Sequence, residues 1–122
     1  MYRYYNANPN LSNIDDCTIR ALSVAEDISW DDAYDMLSDS ARDLGLMQSD
    51  VRAIEKYLDM RYDRVPIYER TVGEFINNHR QGTYLITMPN HITVLKDKGG
   101  YNINYDTFDS SKRPIWSAWL IR

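Results

Sequence analysis

Gly82-Thr83-Tyr84-Leu85-Ile86-Thr87-Met88-Pro89-Asn90-His91-Ile92-Thr93-Val94-Leu95-Lys96 is where the chain changes its grammar. Residues 83–88 mix β-branched, aromatic and aliphatic side chains and read as a strand. Pro89-Asn90 interrupts it, because proline lacks an N–H and asparagine suits turns. Residues 91–96 then form a second strand, Asp97-Lys98-Gly99-Gly100 a turn, and residues 101–105 a third strand. Beyond the polar stretch 106–114, residues 115–121 read as a closing strand with Trp116 and Trp119 on opposite faces. Strands that fold back at each break predict an antiparallel meander.

Upstream of this stretch the apolar period is helical. Cys17, Ala21, Val24, Ala25 and Ile28 recur at i, i+4, i+7, i+8 and i+11, and Asp15 or Asp16 is placed to cap that helix. Arg20 and Glu26 lie away from the centre of its apolar stripe. Ser29-Trp30-Asp31-Asp32 opens a second helix carrying Trp30, Ala33, Tyr34, Leu37 and Ala41, with Gly45 past its end. Ser49 opens a third with Val51, Ile54 and Leu58, and the capping box Thr71-Val72-Gly73-Glu74 opens a short fourth with Phe75 and Ile76. Residues 1–13 are expected to form an irregular arm, and residues 64–68 around Pro66 an edge strand or connector. Helices first and strands second predict one α+β domain over residues 1–122, the Cys17 helix packed on a C-terminal antiparallel sheet.

The bulk numbers exclude several functions. A net charge of −4 argues against a general nucleic-acid surface, which needs a basic patch. The single cysteine rules out an internal disulfide and fits a reducing compartment. One Cys and two His without HxxxH or CxxC spacing supply a metal site poorly, and nothing calls for another cofactor. No signal-peptide h-region and no membrane-length apolar run are present, so a cytoplasmic protein without a membrane partner is expected.

Cys17 carries the chemistry that stands out. A thiol in the first turn of a helix sits in the partial positive field of the helix terminus, which favours the thiolate. Buried cysteines more often serve as small core residues, and the adjacent Asp15 and Asp16 oppose thiolate formation unless their charge is directed elsewhere. His91 opens an apolar strand directly after a turn, where a ring can reach a cleft and exchange protons near neutral pH. His79 is the weaker candidate, at the polar end of the fourth helix beside Asn77, Asn78 and Arg80. A base needs a group to orient its ring. Asp106 follows His91 by one strand, one turn and one returning strand, with Asp109 as the alternative in another register.

Asn13-Ile14-Asp15-Asp16-Cys17-Thr18-Ile19-Arg20-Ala21-Leu22, Gly82–Val94 and Tyr105-Asp106-Thr107-Phe108-Asp109-Ser110 together resemble the papain-like cysteine peptidases. The likeness is to the small phage and bacterial members, such as the bacteriocin-processing double-glycine peptidases. It implies a papain-like fold and a thiol hydrolase that cleaves a peptide or isopeptide bond in a peptide or protein substrate. Cys17 would then be the nucleophile, His91 its base and Asp106 the orienting acid. The family usually carries a glutamine oxyanion donor about six residues before the cysteine. Leu11 stands there, so the resemblance hands that role to Asn13 or Asn10, beside the Cys17 N–H. The same Cys-His pair also suits an acyltransferase or amidase, and the scaffold a non-catalytic protein-binding module using some of its ten tyrosines.

Overall fold

A computed structural model describes residues 1–122. In chain order the elements are β1 (Tyr2–Tyr4), α1 (Cys17–Glu26), α2 (Trp30–Leu44), α3 (Val51–Asp59), α4 (Val72–Asn78), β2 (Tyr84–Met88), β3 (His91–Asp97), β4 (Asn102–Asp106) and β5 (Ser117–Leu120). The fold is α+β, with four helices and one five-stranded sheet of order β1-β4-β3-β2-β5.

The helix starts follow from their caps. Ser29 accepts from the Asp32 N–H and Thr71 from the Glu74 N–H, each satisfying a first-turn donor that has no intrahelical partner. Asp50, rather than Ser49, caps α3, accepting from the Arg52 N–H. Gly45 ends α2 at φ 68°, in the left-handed region that a residue without Cβ enters freely.

The sheet corrects one expectation. β2, β3, β4 and β5 are antiparallel to their neighbours, but β1 runs parallel to β4, so the sheet is mixed. The first residues of the expected irregular arm form that edge strand, with Tyr2 opposite Asn104 and Tyr4 opposite Asp106. Residues 64–68 act as a connector, meeting β5 through an Arg64–Trp119 bridge and the Val65 N–H on the Ala118 carbonyl.

Alternation along the strands divides the core between the two sheet faces. Leu85, Ile92, Val94 and Trp119 pack with Leu22, Leu37 and Leu58 from α1, α2 and α3. Tyr84, Ile86, Met88 and Leu95 pack instead with Val72 and Phe75 from α4. Each fully buried large side chain contributes roughly 1.5–3 kcal/mol of hydrophobic stabilisation. Trp119 is fully buried, while Trp116 is 60% exposed. α1 lies directly over β3, the strand that begins with His91. No helix is long and apolar enough to cross a membrane.

Candidate active site

The arm before α1 is a built structure. The Asn8 side-chain oxygen accepts from the N–H groups of Asn10 and Ser12, and the Asn6 amide spans to the Ser12 carbonyl. Asn8 also turns its side-chain N–H toward Asp16 at 3.2 Å. Asp16 occupies the N-cap position of α1 yet makes no side-chain capping bond, contrary to the expected cap. Its carboxylate, 2% exposed, accepts instead from Arg20 Nε at 2.7 Å and Trp30 Nε1 at 2.9 Å. A charge-assisted bond from a guanidinium outcompetes a neutral backbone N–H for a buried carboxylate. The first turn of α1 beside Cys17 therefore receives no side-chain cap from Asp16.

His91 is delivered by the β2–β3 hairpin. Pro89 and Asn90 close it, Asn90 at φ 58°, a conformation asparagine tolerates, and Met88 and His91 form the last pair. In the β3–β4 register Val94 faces Tyr105. One further step sets Thr93 across from Asp106 and puts His91 diagonal to it on the same face. His91 Nε2 accordingly donates to Asp106 Oδ2 at 2.7 Å. Both residues are buried, at 6% and 4% exposure.

Asp106 is held from several sides. Its Oδ1 accepts from the Thr107 N–H at 2.7 Å and from Arg20 Nη1 at 3.3 Å. Its main-chain carbonyl accepts from the Tyr5 N–H and the Tyr2 hydroxyl, so β1 anchors the end of β4. Arg20 bridges Asp16 and Asp106 and thereby ties the cysteine-bearing helix to the sheet.

Electrostatics follow from these contacts. Burial disfavours the His91 imidazolium, but the bond to Asp106 and then the Cys17 side chain outweigh it, raising the pKa to about 9. Burial also works against the Asp106 carboxylate. His91 overrides this, helped by the Thr93 hydroxyl and the Thr107 N–H, and holds the acid below the usual carboxylate value.

Cys17 and His91 line one open cleft of about 690 Å³. Asn13, Asn90, Phe108 and Arg113 also line it. Asn10 is exposed and does not line this cleft. Asp109 is likewise exposed and accepts from the Ser111 N–H in its own turn. His79 is remote in role, with its Nδ1 on the Phe75 carbonyl and its ring stacked on Phe75. No grouping of three or more His, Cys, Asp or Glu side chains could hold a metal ion.

Arg20, Phe108 and Arg113 escape a reading of the sequence as candidate site residues. Asp16–Arg20 is an i, i+4 pair visible in sequence, but its third partner, Asp106, is 86 residues from Arg20. Nothing local marks Phe108 or Arg113. The chain matches no family model, no curated protein and no solved structure.

Proposed function

We propose that this chain is a papain-like thiol hydrolase that cleaves a peptide or isopeptide bond with Cys17, His91 and Asp106. The observation that carries the proposal is the buried His91–Asp106 bond of 2.7 Å at the wall of the cleft that Cys17 also lines. Chain order adds support, with Cys opening the first helix, His opening a strand and Asp ending the next. The free thiol fits a reducing compartment, and so a cytoplasmic site of action on peptide or protein substrates.

With a pKa of about 9, His91 is cationic near neutral pH, the charge state that favours a thiolate as the attacking species in the proposed mechanism. Nε2–H is committed to Asp106, which leaves Nδ1–H for the sulfur and the leaving group. The thiolate attacks the substrate carbonyl carbon to give a tetrahedral oxyanion. Its stabilisers are the Cys17 N–H, which has no intrahelical acceptor, and the Asn13 amide. Collapse breaks the C–N bond, the amine leaves with the His91 proton, and a thioester remains. Neutral His91 then takes a proton from water as the oxygen adds to the thioester. The acid departs and the ion pair is restored.

Alkylation of Cys17 by iodoacetamide near pH 6 tests this. An ordinary thiol with pKa near 8.5 is almost wholly protonated there, so an ion-paired thiolate reacts faster even after its lower nucleophilicity is counted. His91→Ala is expected to slow the reaction on the order of 10- to 100-fold. Equal, slow alkylation in both proteins would overturn the proposal and favour a binding module.

A further inference from the structure

The cleft also presents an exposed, unpaired cation stacked on an aromatic ring. Arg113 lines the cleft, and its guanidinium makes no hydrogen bond or ion pair with the rest of the chain. It rests on the face of Phe108, 4.7 Å from the ring centroid, and Phe108 in turn lies 4.5 Å from the His91 ring. One aromatic ring therefore separates the guanidinium from His91.

The backbone beneath it is held by α4. The N–H groups of Val72 and Gly73, orphaned at that helix start, donate to the carbonyls of Arg113 at 3.0 Å and Ser111 at 2.7 Å. The approach is so close that a Cβ on Gly73 would stand 2.9 Å from the Ser111 oxygen. The Arg113 N–H closes the turn on the Ser110 carbonyl at 3.0 Å. A cation left without a counterion on a braced loop beside a nucleophile is preorganised for a ligand anion, because little ordering remains to be done on binding. A guanidinium suits a carboxylate in particular, through two parallel N–H···O bonds. Asp15, which lines the same cleft two residues before Cys17 and also has no ion-pair partner, disfavours an anion at its own end. A substrate is thereby oriented with its anionic group toward Arg113.

We infer that Arg113 is a specificity residue that selects acyl substrates carrying a carboxylate next to the bond attacked by Cys17. The inference rests on Cys17 being the nucleophile. Two reagents of the same size and different charge, iodoacetate and iodoacetamide, separate the two ideas in the intact chain without a known substrate. Arg113→Gln is expected to lower the ratio of the iodoacetate rate to the iodoacetamide rate by about threefold or more, the effect of unit charges about 7 Å apart in a water-like dielectric. The iodoacetamide rate should stay within about twofold, and the ratio effect should shrink in 1 M salt, where the Debye length is about 3 Å. Lys98→Gln removes the same charge from an exposed turn outside the cleft and should leave the ratio unchanged. An unchanged ratio in Arg113→Gln, or an equal fall in Lys98→Gln, overturns the inference. Slow reaction of the unaltered protein with both reagents counts against the nucleophile instead, while the ratio still reports on Arg113.

Discussion

The chain's two histidines, His79 and His91, sit against rings in both cases, yet their surroundings divide. His79 ends α4, stacked on Phe75 at 3.9 Å and set edge-on to Tyr84, with its Nδ1 on a backbone carbonyl. No carboxylate pairs with it. His91 bonds to Asp106, which Arg20 links in turn to Asp16, a buried chain of two acids and a guanidinium. Apart from the thiolate proposed for Cys17, a charged His91 makes this linked group two positive against two negative. The same side chain is thus an aromatic packing piece in one place and a buried cation in the other. Neighbours rather than residue type decide which.

Removing the guanidinium tests the balance hardest. Arg20→Met leaves Asp16, about 98% buried, without its cation and takes one of two from the equally buried Asp106, and breaking a buried pair from one side typically destabilises by about 3–5 kcal/mol. Arg42→Met serves as the contrast, since Arg42 and Asp39 are 79% and 77% exposed and such pairs contribute about 0–1 kcal/mol. Urea unfolding of both variants measures the difference. Similar small losses would mean that the His91 end is not electrostatically organised in the way its burial implies.

The next largest effect is on pH dependence. His91 has a folded pKa of about 9 against an ordinary 6.5, so its stabilisation is complete below about 6.5 and disappears as pH rises through about 9. Asp106 is displaced downward, so its stabilisation is present above the usual carboxylate range and is lost as pH falls through its folded value. Stability attributable to this pair is therefore greatest at mildly acidic pH and declines on both sides. Asp106→Asn removes the main group that raises the His91 pKa. Its ring resonances should then titrate well below 9, and the fall in the urea midpoint between pH 6.5 and 9 should flatten. A His91 titration unaffected by Asp106→Asn would assign the raised pKa to Cys17.

Much of the fold is legible in the sequence because it rests on local signals. The caps at Ser29 and Thr71, the Gly45 stop and the period-two strands all act within a few residues. The His91–Asp106 approach is legible for the same reason, since one hairpin joins them over 15 residues. β1 is not, because three residues are too few for a period and its partner strand lies about 100 positions away. Asp16 misleads for a related reason. Its capping position is local, but Arg20, one turn on, competes for the carboxylate, and the Trp30 donor meets it only after α1 and α2 pack. Arg20, off the apolar stripe, reads as a solvated charge until β4 arrives from 86 residues away. Partners distant in sequence leave no periodicity to read.

His79→Ala should have the smallest effect on Cys17. It deletes the stacked pair with Phe75, the edge-on pair with Tyr84 and one side-chain bond to the Phe75 carbonyl, worth together about 2–3 kcal/mol. That loss belongs to the α4 side of the sheet, where Phe75 and Tyr84 pack, and no part of the ring lines the Cys17 cleft. The iodoacetamide rate of Cys17 should therefore stay within about twofold of the unaltered protein while thermal stability falls. His79→Phe, which keeps the stack and removes only the nitrogen, should recover about half of the lost stability. A substantial slowing of Cys17 alkylation in either variant would mean that the two histidine environments are coupled through the sheet, since β2 and β3 lie side by side between them.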